Sequence, residues 1–285
     1  MPSWTSAFAM TELVGRLIRT PQGAIGAVIL VVIAAACIFG AALAPSDPEA
    51  MNVLARFRSP GNGFLLGSAA FGRDTLSRLL VGARATVPLA LAATLIGTLG
   101  GAVLGTLSAY LGGRWDEAIM RTVDAVMAIP GLLLALLVAN TLGKGSVNAM
   151  LAIAVAFAPG MARVTRSVAL TVRRQDYVSA AMARGESASF IVLGEMLPNV
   201  VGPIVIETTI RVAFAVMLFA TLSFLGLGAQ PPASDWGLMV SEARRFLHQA
   251  PWMIVAPGAA IALTAIGFNL LGDGLRDAMN PRDER

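Results

Sequence analysis

Charge is what this sequence lacks most. Of its 285 residues only 13% are charged, against 56% hydrophobic. A soluble domain carries about 25% charged residues. With a mean hydropathy of +0.73, the shortfall excludes an ordinary soluble domain and points to a membrane. Lysine is nearly missing, Lys144 being the one lysine among 21 basic residues. The pI of 10.2 would suggest nucleic acid in a soluble protein. Here the arginines flank apolar runs, so they read as topology signals and nucleic acid is not an expected partner. The one cysteine, Cys37, lies inside an apolar run and has no second cysteine to pair with. The one histidine, His248, stands without a Cys or His neighbour, which argues against metal and triad chemistry. The only Gly-Lys step, Gly143-Lys144, has no glycine five residues before it and Gly145 after it. It is therefore no phosphate loop. No catalytic residue, metal site or bound cofactor is expected on this chain, and any ATP must be hydrolysed elsewhere.

Six apolar runs are long enough to be read as spans, at 22–44, 86–110, 119–142, 147–162, 203–227 and 252–271. A span needs roughly 20 apolar residues to cross about 30 Å of hydrocarbon. The fourth run is short and carries Pro159-Gly160. The first follows Arg16 and Arg19 but exceeds the roughly 7–15 apolar residues of a signal peptide, so an uncleaved anchor is expected. With the N-terminus inside, twelve basic residues fall on the cytoplasmic side (Arg16, Arg19, Arg114, Arg121, Arg163, Arg166, Arg173, Arg174, Arg184, Arg276, Arg282 and Arg285). Eight fall outside (Arg56, Arg58, Arg73, Arg78, Arg84, Lys144, Arg244 and Arg245), and Arg211 lies within a span. The excess favours both termini in the cytoplasm. The expected organisation is a cytoplasmic segment 1–21, an anchor 22–44 and an extracytoplasmic loop 45–83. A five-helix core 84–275 with a cytoplasmic loop 163–202 and a tail 276–285 complete it.

Gly97, Gly101 and Gly105 recur every four residues on one helix face and let a neighbouring backbone approach. A seam within the chain and a subunit interface both fit. Pro130 and Pro257 fall inside spans, where each should kink its helix or free a carbonyl. Charges inside spans need partners. Arg121 and Asp124 are three apart, and Glu207 precedes Arg211 by four, so each set can pair along its helix, either as structural ion pairs or as contacts of a translocation path. Gly272 and Gly274 would allow a tight turn beside Asp273, Arg276 and Asp277.

The stretch 176–199, DYVSAAMARGESASFIVLGEMLPN, is a hydrophilic island between apolar runs. Asp176 can cap a first helix, in which Ala180, Ala181 and Ala183 give high propensity and a smooth surface. Gly185 is placed to stop it in a left-handed conformation. Ser187 can cap a second helix with Phe190, Leu193 and Leu197 on one face, ended by Pro198. An amphipathic connector on the membrane surface and a knob that enters a cleft of a soluble partner both fit this pattern.

The spacing of Ala180-Ala181, Gly185 and Leu197-Pro198 resembles the loop of binding-protein-dependent ABC importer permeases. The blocks 72–84 (GRDTLSRLLVGAR), 110–130 (YLGGRWDEAIMRTVDAVMAIP), 222–237 (LSFLGLGAQPPASDWG) and 268–282 (FNLLGDGLRDAMNPR) resemble the C-type permease of the dipeptide, oligopeptide and nickel importers. Departures are Ser179 where the family has glutamate, Glu195 where it has an aliphatic residue, and Glu207 where it has an amide. The resemblance implies an all-α, polytopic membrane protein with six transmembrane helices and the type I importer permease fold. It implies a multi-pass protein of the bacterial cytoplasmic membrane that moves peptides. It also implies that Ser179, Ala180, Ala181, Arg184, Gly185, Phe190, Leu197 and Pro198 dock on an ATPase. The implied partners are a paralogous permease, two ATPase subunits that bind ATP and Mg, and an extracytoplasmic solute-binding protein. Relatives that import nickel or glutathione leave the cargo open. An ion-coupled transporter is the other transport class, but it needs acids near mid-membrane and these cluster near span ends. A membrane-embedded enzyme has no nucleophile, base or metal set to work with.

Overall fold

The computed structural model describes residues 15–61 and 63–279. Arg282 and Arg285, the first fourteen residues of segment 1–21 and the end of the tail lie outside the described residues. Among the described residues the fold is helical without a β-strand; an isolated bridge joins Ser68 and Asp74. The helices are α1 Pro21–Leu43, α2 Thr75–Leu111, α3 Gly113–Met127, α4 Gly131–Leu142, α5 Ser146–Arg173, α6 Asp176–Ala183, α7 Ala188–Phe224, α8 Trp236–Ala243 and α9 Trp252–Ala278. Five of them, α1, α2, α5, α7 and α9, are long and apolar enough to cross a membrane. The bent pair α3 and α4 makes a sixth if counted as one span.

Several helices outrun the apolar runs that announce them. The run at 86–110 is the inner part of α2, which begins at Thr75 because Asp74 accepts the Ser77 backbone N–H at 2.8 Å and so caps the first turn. At 37 residues α2 is about 55 Å long, well beyond the hydrocarbon thickness. The run at 147–162 continues as α5 to Arg173, through Pro159. A helix interior normally resists proline, but membrane helices tolerate one where neighbouring groups satisfy the freed carbonyl. Likewise α9 runs on through Pro257.

The run at 119–142 is not one straight helix. The two halves, α3 and α4, meet at 89°. Pro130 has no N–H to continue the ladder and disfavours helical backbone at Ile129. The amphipathic α3 holds Arg114, Asp116, Glu117, Arg121 and Asp124 within fifteen residues, a load that resists entry into lipid. Of the two halves α4 alone carries no charge, and its twelve residues reach about 18 Å.

The chain forms two compact units, Met1–Ala90 with Thr209–Arg285, and Leu91–Thr208. In the first, α1 crosses α9 at close range. A Cβ on Gly26 would lie 2.7 Å from the Leu271 nitrogen, and one on Gly274 would lie 2.6 Å from Gly23 Cα. Gly272 and Gly274 therefore do not form a tight turn; they are helical, and Gly274 is small because α1 passes over it. Most other α1 side chains face outward, among them Ile25, Val28, Val31, Val32 and Ile38, as lipid contact requires. Around α8 the packing is polar and buried. Asp235 accepts from the Leu238 N–H at 2.9 Å and the Thr86 hydroxyl at 2.8 Å, and the Trp236 indole donates to the Leu79 carbonyl at 2.9 Å. Burial pushes the Asp235 carboxyl above the usual carboxylate range, although these donors oppose the shift.

In the second unit the three-glycine seam belongs to the chain's own packing. A Cβ on Gly97 would stand 2.7 Å from the Ala154 carbonyl oxygen. One on Gly101 would strike the Ala158 oxygen, and one on Gly105 the Ala162 oxygen. The four-residue period of α2 thus meets an equal period on α5, backbone to backbone. Gly100 faces open space. Gly101→Leu should therefore lower the melting temperature of the purified protein by several degrees, an overpacking cost of about 1–3 kcal/mol. Gly100→Leu should leave it within a degree or so; equal effects would contradict the seam.

Candidate functional site

The island begins where α5 ends. The N–H groups of Arg174 and Gln175 donate to the Thr171 and Val172 carbonyls, at 3.3 and 3.0 Å, and close the last turn. Helix α6 follows after only these two residues. Its N-cap is Gln175, whose side chain makes no capping bond, rather than Asp176. Gln175 ends the short connection in an extended conformation, and its carbonyl accepts from Val178 and Ser179 at 3.1 and 3.2 Å. Asp176 is thus one residue inside, where its charge complements the positive end of the helix.

The stop of α6 follows the sequence. Gly185 has φ of +75°, its N–H donates to the Met182 carbonyl at 3.0 Å, and Glu186 N–H donates to Ala181 at 3.2 Å. This is a Schellman closure, in which the left-handed residue is most easily a glycine. Ser187 then caps α7, its hydroxyl accepting from the Phe190 N–H at 3.2 Å. Every residue from Met182 to Phe190 is exposed.

Pro198 does not end the second helix. It lies in the opening turns of α7, which continues to Phe224. Immediately before it, Ile191–Met196 is π-helical, and the Leu197 N–H reaches back five residues to the Val192 carbonyl. The wider turn explains how a proline is accommodated: the ladder has already shifted register where Pro198 offers no donor. It also changes which face is buried. Ile191, Val192, Met196 and Val200 point inward, whereas Phe190 and Leu193 are 48% and 53% exposed and Leu197 is half-buried. The expected apolar face is largely the outward one.

The island is anchored in the second unit. Val178, Ala181, Ile191, Met196 and Val200 form one buried cluster with Ala102 and Ala109 of α2 and Met161, Ala169 and Val172 of α5. Ser179, Ala180, Arg184 and Pro198 stay on the outside, while Ala181 is buried in the cluster. Tyr177 packs at its edge, and burial together with the Glu195 charge raises its phenol above the ordinary range. Glu195 thus stands close enough to Tyr177 to act on it.

Ion pairs fix α3 to α5. Arg166 donates to Asp116, from Nε at 2.6 Å and again from Nη2 to the second carboxylate oxygen. The Ser108 hydroxyl donates to Asp116 at 2.6 Å. Asp124 pairs with Arg163 of α5. Arg121 does not pair with Asp124; it donates to Glu117, one turn earlier, at 2.6 and 3.1 Å. The acid-first i, i+4 order favours that partner, and α5 supplies Asp124 with a cation that spacing along α3 cannot reveal. Glu207 and Arg211 lie one turn apart on α7, both half-buried, on either side of the step from the second unit to the first.

A buried foot with an exposed tip, carried by long apolar helices, is a feature that related proteins can test. Residues 101–284 match the family of binding-protein-dependent transport system inner membrane components. The chain belongs to that family. It is 39% identical over 281 residues to the probable D,D-dipeptide transport system permease protein DdpC of Escherichia coli (strain K12), covering 99% of this chain and 94% of that one. It is 38% identical over 264 residues to the dipeptide transport system permease protein DppC of Haemophilus influenzae, covering 90% of each chain. It is 40% identical over 256 residues to the glutathione transport system permease protein GsiD of Escherichia coli O6:K15:H31, covering 90% of this chain and 84% of that one. The chain is accordingly a multi-pass permease component of an inner membrane transport system.

The Asp116–Arg166 pair is partly buried, so its loss should be measurable. Arg166→Gln should cost about 2 kcal/mol, in the range for a hydrogen bond to a charged group. A double-mutant cycle with Asp116→Asn in thermal unfolding should give a coupling of about 0.5–3 kcal/mol; additive effects would show that the two do not interact.

Proposed function

We propose that this chain is the C-type permease subunit of an ATP-driven importer of peptides, and that segment 176–199 receives the ATPase. The observation that carries the reading is the continuous exposed tip, Met182 to Phe190, on a foot whose Ile191 and Met196 are fully enclosed by α2 and α5. A free connector needs no such foot, whereas a part that transmits force does. On this reading Ser179, Ala180, Ala183 and Gly185 give the tip a smooth surface, and Phe190 and Leu193 supply its apolar contact. Ala181 and Leu197 hold the tip to its foot.

ATP and Mg are bound by two separate ATPase subunits, a paralogous permease completes the translocation path, and an extracytoplasmic solute-binding protein delivers cargo. Both termini lie in the cytoplasm of a bacterium: with α3 and α4 counted as one bent crossing, six crossings put them on the same side, and the excess of arginine favours the cytoplasmic one. Arg121, Asp124, Glu207 and Arg211 serve as ion-pairing groups near the cytoplasmic ends of the spans. Peptide cargo is supported by the two dipeptide permeases among the relatives. Import of glutathione or another small solute is the second reading, favoured by the 40% identical glutathione permease. An ion-coupled mechanism fits poorly with a family defined by dependence on a binding protein.

Arg184→Glu or Gly185→Pro should abolish co-purification of the ATPase while membrane insertion continues. Unchanged co-purification would refute the docking assignment. Uptake by proteoliposomes, with cargo and binding protein outside and ATP enclosed, should need that ATP and persist after the proton gradient is collapsed; uptake that follows the gradient would refute the energy source.

A further inference from the structure

A cleft of about 400 Å³ opens in the first unit beside α8. Its lining is strongly basic: Arg56, Arg73, Arg244 and Arg245 face it, with Phe71 and Phe246 among its apolar walls and Glu242 as its single acid. Every lining residue lies in the connection between α1 and α2, in the segment between α7 and α9 that contains α8, or in the first turn of α9. The cleft therefore belongs to the layer between α1 and α2 and between α7 and α9, not to the interior of a span.

Two buried guanidiniums, Arg73 in the lining and Arg78 behind it, share the cleft's one acid. Arg73 and Arg78 are 3% and 2% exposed, and both donate to the same oxygen of Glu242, at 3.1 and 2.8 Å. Buried Nε of Arg73 and buried Nε and Nη2 of Arg78 have no hydrogen-bond partner. Asp74 pairs with neither arginine; its carboxylate accepts from the backbone and hydroxyl of Ser77. Among the described residues no acid pairs with the exposed Arg56, Arg244 or Arg245; Arg56 and Arg244 rest over the rings of Phe57 and Phe224, at 5.2 and 5.7 Å. One carboxylate thus serves two buried guanidiniums under a rim of three more. Uncompensated buried charge is costly, and the guanidinium fork is shaped for carboxylate.

We propose that this cleft is where an Asp or Glu side chain of the solute-binding protein seats when it docks. The assignment rests on the importer topology above, which puts the α8 layer outside the cytoplasm, and on the family's dependence on a binding protein. A peptide cargo also ends in a carboxylate. The cleft's place outside the spans favours a docking partner over a translocated one. Charged rims act mainly through the association rate and its salt dependence, so the site steers as well as holds.

The test uses the complete transporter in nanodiscs and its own binding protein. Arg244→Glu with Arg245→Glu should slow association by roughly tenfold or more and remove most of its salt dependence. Arg244→Lys with Arg245→Lys should retain most of it. Co-purification of the ATPase reports assembly; if the reversed pair does not assemble, Arg245→Gln decides, with an expected loss of about threefold. Docking by the wild type with unchanged affinity in these variants would overturn the site alone. Weaker binding of free peptide with unchanged docking would assign the cleft to cargo and overturn it too. Failure of the wild-type transporter to bind the binding protein would overturn the importer reading and this site with it.

Discussion

The backbone contact between α2 and α5 is the constraint on which the second unit depends. Gly97, Gly101 and Gly105 remove three side chains from one line, and the carbonyls of Ala154, Ala158 and Ala162 occupy the space. Without a strong hydrophobic drive in lipid, helix pairs are held by such close packing and by polar contacts. Two helices so joined give the buried foot of α6 and α7 a firm surface to grip. Val178, Ile191 and Met196 close on that surface. Movement imposed on the exposed tip is then carried into both helices, because a packed core shifts as a body and does not deform continuously.

Arginine performs different work in the two units. In the second, Arg163 and Arg166 hold α3 beside α5 through Asp124 and Asp116. In the first, Arg73 and Arg78 share Glu242 and leave donors unused. The contrast is physical: the first arrangement matches each cation with an acid, whereas the second holds an excess.

Much of this was legible in the sequence, and the losses have local causes. The helical class, the apolar runs, the glycine seam, the Gly185 stop and the Ser187 cap all follow from residue type and spacing. Helix ends were harder. Asp74 caps α2 about three turns before its apolar run begins, and the acids of α3 sustain α5 beyond its own. Pro198 looked terminal because proline removes a donor, yet a π-helical turn just ahead of it absorbs the defect. That turn also reversed the exposed and buried faces of the island's second helix, which a regular period cannot show. Arg121 and Asp124 were adjacent along the helix but found other partners, since Arg163 arrives from a distant segment. The arginine cleft is invisible in sequence for the same reason: Arg56, Arg73 and Arg244 come together only in the fold.

The central claim is that the tip from Met182 to Phe190 meets the ATPase and transmits its motion. Cysteine cross-linking in a Cys37→Ser background tests it most directly, with Ala183→Cys at the tip and Val53→Cys in the loop before α2, both exposed positions. The account expects Ala183→Cys to cross-link to the ATPase subunit, and the linked complex to lose ATP-driven uptake, while Val53→Cys gives no ATPase product. Cross-linking of Ala183→Cys to a binding protein added from outside, or of Val53→Cys to the ATPase, would contradict it.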